Sequence, residues 1–181
     1  MEVEARRECY PETWAGRASG TVTNDGLTES WSATYTTNRF HQNGGGASYG
    51  YGLEGDEGDS QGTMQWSISG TNGGGCQVSG SATIDVVARL DLFAAMEPKS
   101  YATDLRPVES TQVTSQCPGQ AATTFTYFPL NCDCAAMRNP FTEPYAPSLT
   151  SIQGAQSYTA NTGEGVSWAW KLVPGSTPPP P

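Results

Sequence analysis

The sequence predicts an all-β chain: an antiparallel β-sandwich or jelly roll of about eight or nine strands with little helix. Three observations carry this. Large apolar residues recur on a two-residue beat, at Trp31, Ala33 and Tyr35, at Met64, Trp66 and Ile68, and at Val166, Trp168, Trp170 and Leu172. Period two marks a half-buried strand, with intervening residues such as Ser30, Ser32, Thr34 and Thr36 on the solvated face. Turn chemistry then separates the runs, and no long stretch holds a helical period.

The first strand spans Thr13 to Thr23, with Trp14, Ala18 and Val22 in one phase. Asn24-Asp25-Gly26 tolerates positive φ and turns it into a long second strand, Leu27 to Phe40. A glycine-laced strand from Ser48 to Leu53 follows. Gln61 to Gly70 and Gln77 to Val87 flank Thr71-Asn72-Gly73-Gly74-Gly75 as a second hairpin. The alternation continues through Ala88, Leu90 and Leu92, although residues 88 to 96 also suit a short helix, and Pro98 ends either element. Tyr101 to Gln116 reads as one irregular strand with a loop around Pro107, and Pro118-Gly119 turns into Ala121 to Leu130. Asn131 to Leu149, with Pro140, Pro144 and Pro147, reads as a crossing loop. Ala155 to Ala160 and Gly165 to Val173 are the last strands. The expected organisation is an N-terminal extension over 1–12, one sandwich domain over 13–174, and a proline-rich linker or tail over 175–181, stiff and apart from the core.

Composition narrows the function. A chain of 181 residues is long enough for one core. Nine basic against eighteen acidic residues give a formal charge of −9, and the only adjacent basic pair is Arg6-Arg7. Nucleic-acid binding needs a positive stripe, which is missing. Lysine occurs only at Lys99 and Lys171, although it is a common guard of sheet edges. There is no apolar run long enough to insert in a membrane. Met1 to Arg7 lacks the apolar centre of a signal peptide, so the expectation is a chain that starts after a removed signal or was trimmed from a larger protein.

Five cysteines, Cys9, Cys76, Cys117, Cys132 and Cys134, sit among turn residues. They read as two disulfides and one thiol in an oxidising compartment: extracellular, cell-surface or periplasmic. Cys132 and Cys134 are too close in sequence to bridge each other comfortably, so each seeks a distant partner, Cys9 and Cys117 being the best placed. One intervening residue and a distant sole histidine argue against zinc.

Few residues suggest chemistry. Gly46-Ala47-Ser48-Tyr49-Gly50 matches a nucleophile elbow, but the sole histidine, His41, precedes the serine and no helix pattern follows it. Gly50, Gly52 and Gly55 match the dinucleotide fingerprint without its βαβ unit. Glu54, Asp56 and Asp59 lie on an acidic glycine loop whose oxygen ligands suit calcium, the one cofactor suggested; a solvated turn is the plainer reading. Tyr49 and Tyr51, among glycines, could form a flat platform for sugar rings, or face the core with Leu53. A glycosidase needs paired carboxylates; Glu29 shares a face with Trp31, whereas Asp85 and Asp91 lie on the face opposite Ile84 and Val86. No catalytic set emerges. The expected function is a non-catalytic secreted or cell-surface module with a binding or structural role, meeting a carbohydrate or protein surface and adjoining domains through its tail. The alternatives are a carbohydrate-binding module or jelly-roll glycosidase, and an assembly subunit that pairs through sheet edges.

Overall fold

The computed structural model describes residues 10–43, 48–52, 60–130, 143–146 and 148–180, with the side chains of 40–43 outside that description. Cys9, Cys132, Cys134, Glu54, Asp56, Asp59 and the His41 side chain therefore lie outside the described residues. The strands are β1 (Thr13–Asn24), β2 (Leu27–Asn43), β3 (Ser48–Tyr51), β4 (Ser60–Thr71), β5 (Gln77–Phe93), β6 (Ser100–Pro107), β7 (Thr111–Gln116), β8 (Thr123–Tyr127), β9 (Glu143–Pro144), β10 (Ile152–Thr159) and β11 (Gly165–Pro174). All pairings are antiparallel within one sheet. It is an all-β sandwich in which a single sheet folds over onto itself.

The order runs β10-β11-β1-β2, then a lane shared end to end by β4 and β3, then β5, whose far edge is shared by β7 and β6. Sharing lanes is how eleven strands occupy the space of the eight or nine expected. Between β3 and β4 the ladder is interrupted. There Ala88 N donates to Ser60 Oγ at 2.6 Å, so a side chain replaces the missing strand acceptor. Residues 88–93 continue β5 rather than forming a helix, because Leu90 and Leu92 pair with Tyr51 and Tyr49 on one edge and with Thr103 and Tyr101 on the other. The irregular strand expected over 101–116 is two strands, broken at Pro107, which supplies no N–H to a ladder.

Sequence alternation becomes a core because every pairing keeps the large residues on the inner face. Trp14, Trp31, Tyr35, Met64, Trp66, Ile84, Tyr101, Trp168 and Trp170 are all buried. The two ends of the sheet meet across this layer: Trp170 Nε1 donates to Tyr101 Oη at 2.9 Å, and Tyr101 Oη donates to Gln153 O at 3.3 Å. Glycines make room for the rings. A Cβ on Gly154 would lie 2.4 Å from the Trp170 ring, and one on Gly16 would lie 2.3 Å from that of Tyr35. At the first hairpin, Asp25 (φ 48°) and Gly26 (φ 77°) both occupy the left-handed region, as a type I′ turn requires.

Both ends of the described chain pack against the sheet. Tyr10 stacks on Tyr49 with centroids 3.9 Å apart, and Tyr51 Oη donates to Pro11 O at 2.8 Å. At the other terminus Pro179 is buried, and its carbonyl accepts from Arg17 Nε at 3.1 Å. Ala15 lies on the same outer side of β1 as Arg17 and is 0 % exposed, so alternation fails there. The tail thus lies against the outer surface, where a free spacer was expected.

Candidate functional site

One disulfide, Cys76–Cys117, ties the β4–β5 turn to the β7–β8 turn across 41 residues of sequence. It corrects the expectation that Cys117 serves Cys132 or Cys134. Closing a loop of that length stabilises by about 4 kcal/mol in the chain-entropy account. One fully buried tryptophan contributes about 4–6 kcal/mol, from ~150–250 Å² at ~25 cal/mol/Å². The bond therefore matches a single core residue and does not replace the core.

The residues suspected of chemistry are placed apart. Tyr49 and Tyr51 point inward at 9 % and 0 % exposure, so neither offers a ring face to a ligand. Burial pushes the Tyr51 hydroxyl up to about 12. Ser48, the serine of the elbow-like motif, lies on β3, where a nucleophile elbow would need a strand-to-helix turn. Asp91 is engaged by Arg89 Nε at 2.8 Å. Asp85 faces outward and Glu29 inward, so the sheet itself separates them and they cannot flank one glycosidic bond. Among the described residues no group of three or more His, Cys, Asp or Glu could hold a metal, and no described helix is long and apolar enough to cross a membrane.

Glu29 is the residue whose environment sequence reasoning missed. It is 6 % exposed and accepts three hydrogen bonds: from Trp66 Nε1 at 2.7 Å, Tyr127 Oη at 2.6 Å and Leu130 N at 2.8 Å. Partial burial, then the adjacent Glu29 carboxylate, push the Tyr127 hydroxyl well above its ordinary range, so it remains a donor. The Tyr127 ring stacks on Trp66 with centroids 5.7 Å apart. A carboxylate with its oxygens occupied in this way anchors β8 and the start of the following segment to the core. Both of its oxygens are taken up by these three donors.

The outer face shows the most organised surface. Register aligns Ser157, Ser167, Thr21, Ser30, Ser67 and Ser81 in one row across six strands. A neighbouring row runs Thr23, Thr28, Ser69, Ser79, Thr114 and Thr124. Hydroxyls stand about 4.8 Å apart along a row, and the rows are about 7 Å apart. Some bond to one another, as Ser157 Oγ does to Ser167 Oγ at 2.9 Å. On the other side a third row, Ala155, Ala169, Ser19, Ser32, Gln65 and Thr83, is also uncharged. Charge first appears in the next row, at Lys171, Arg17 and Asp85.

Beside that charged row lies a groove of about 620 Å³, lined by Thr34, Thr36, Gln61, Thr63, Asp85, Val87 and Val108, with Pro178 of the tail on its wall. A second depression of about 420 Å³, over Ser19, Ser32, Thr34, Thr63 and Gln65, adjoins it. Together they offer hydroxyl and amide donors and acceptors, the Arg17 guanidinium, one carboxylate, and small apolar patches. No family model, curated protein or solved structure matches the chain.

Proposed function

We propose that the chain is a non-catalytic binding module of an extracytoplasmic protein, and that its ligand surface is the outer trough from Ser19 to Val108. The observation that carries this reading is the uncharged hydroxyl face leading into a groove with Gln61, Thr63 and Asp85. Neutral polyhydroxylated polymers match it best. Their hydroxyls exchange hydrogen bonds with Ser, Thr, Gln and Asp, and their C–H faces suit Val87, Val108 and Pro178. A net charge of −9 disfavours polyanions. The disulfide supports an oxidising compartment. The positions of Glu29, Asp85 and Asp91 favour binding over hydrolysis.

Because all five tryptophans are buried, indole fluorescence is a poor reporter, and depletion from solution onto neutral insoluble polysaccharides is the appropriate assay. Retention on at least one of cellulose, chitin, xylan or mannan is expected, weakened by Gln61→Ala and Asp85→Ala with no change in melting temperature. No retention on any of them, or retention indifferent to both substitutions, rules out this surface as a carbohydrate site.

A further inference from the structure

We propose that two copies of this chain associate by strand addition at β8, pairing antiparallel through its outer edge. Among the described residues β8 shares a backbone ladder only with β7, so its far edge presents N–H and C=O groups outside any described ladder. Natural edges are usually blunted by Lys, Pro, a bulge or a covering loop. Here β8 reads Thr-Thr-Phe-Thr-Tyr, and no residue from Thr111 to Phe128 is charged. Of the sheet's other terminal strands, β9 is the two-residue Glu143–Pro144, and β10 is uncharged but its inward Ile152 is buried. At β8 the inward Phe125 is 42 % exposed and Phe128 just beyond it 40 %, so among the described residues the inner apolar layer is left open at this edge.

A second copy fits this edge because the edge is complementary to itself. A two-fold pairing centred on Phe125 sets that ring against its twin, Thr124 against Thr126 and Thr123 against Tyr127, with no like charges brought together in a protein whose remainder is acidic. The strand is also ordered in advance. The Cys76–Cys117 bond holds the turn of its hairpin, and Glu29 holds the Tyr127 hydroxyl, so little conformational freedom is left to lose on association. The outer hydroxyl row that ends at Thr124 then continues into the partner. Five residues a side make a small interface, so association is weak and concentration-dependent.

Sedimentation velocity on the intact chain over a concentration series tests this. The weight-average mass is expected to rise toward the dimer. Thr124→Lys combined with Thr126→Lys, both on the outer face, holds it at the monomer without lowering the melting temperature. Under mild oxidation Phe125→Cys gives a covalent dimer, since residues facing across such a pair sit about 4.5–5.5 Å apart; Ser32→Cys on the open sheet face does not. A monomer at the highest soluble concentration, or a dimer that survives both lysines, overturns the proposal.

Discussion

Replacing Glu29 by alanine should be among the most damaging single changes in this protein. Glu29→Ala removes the shared acceptor of Trp66 Nε1, Tyr127 Oη and Leu130 N. Trp66 is 2 % exposed and Leu130 6 %, so water cannot readily replace the carboxylate at either, whereas Tyr127 lies nearer the surface. Two stranded buried donors at about 1–3 kcal/mol each, plus the vacated volume, outweigh the relief of no longer burying a charge. The net loss is about 3–5 kcal/mol, the usual cost of removing one partner from a buried charged cluster. For a chain of 181 residues that lowers the melting temperature by about 6–20 °C. Glu29→Gln keeps one acceptor oxygen, and the Tyr127 hydroxyl can rotate to accept from the new amide, so its loss is smaller, about 1–2 kcal/mol. Thermal unfolding followed by near-ultraviolet circular dichroism measures both. A double-mutant cycle with Tyr127→Phe should return a coupling of about 1–2 kcal/mol. An alanine variant that melts with the wild type would refute the anchoring role and reopen Glu29 as a functional acid.

Two further outcomes follow from the same structure. Cys76→Ser with Cys117→Ser should lower stability by up to about 4 kcal/mol in denaturant titration while leaving the folded spectrum intact; a collapse of the fold would mean the core is weaker than its tryptophan content implies. Tyr35, Tyr51 and Tyr127 all titrate above their ordinary value of 10.0, chiefly through burial. A raised folded-state pKa contributes stability that is complete below the unfolded value and lost as pH climbs through the folded one. Unfolding should therefore become easier above about pH 10, and phenolate absorbance from these residues should appear together with unfolding. Phenolate formation by every tyrosine at its ordinary pH in the folded protein would contradict the packing described.

What could be read from the sequence was what local pattern controls. Alternation around Trp31, Trp66 and Trp168 placed the inner face, and Asn24-Asp25-Gly26 placed the first turn, since each depends only on neighbours in the chain. The inward position of Glu29 was readable from its phase with Trp31. Its donors were not, because Tyr127 and Leu130 are 98 and 101 residues away and nothing local encodes that meeting. The hydroxyl rows escaped for a related reason: Ser30 and Ser67 each look like ordinary solvent-facing residues, and only inter-strand register aligns them. The pairing of Cys76 with Cys117 likewise depends on which turns the sheet brings to one end. Ala15 breaks the alternation of β1 on the side where Arg17 meets the Pro179 carbonyl, a meeting 162 residues apart that no local pattern encodes.

The lane shared by β3 and β4 rests the continuity of its neighbours on a single hydroxyl. At the break Ala88 N reaches Ser60 Oγ and Gly52 N reaches Asn38 O, and the paired ladders resume on either side. Ser60→Ala therefore leaves the buried Ala88 amide without its acceptor, at about 1–3 kcal/mol. That amide should become the fastest to exchange within β5, while the pairs above and below it stay in register.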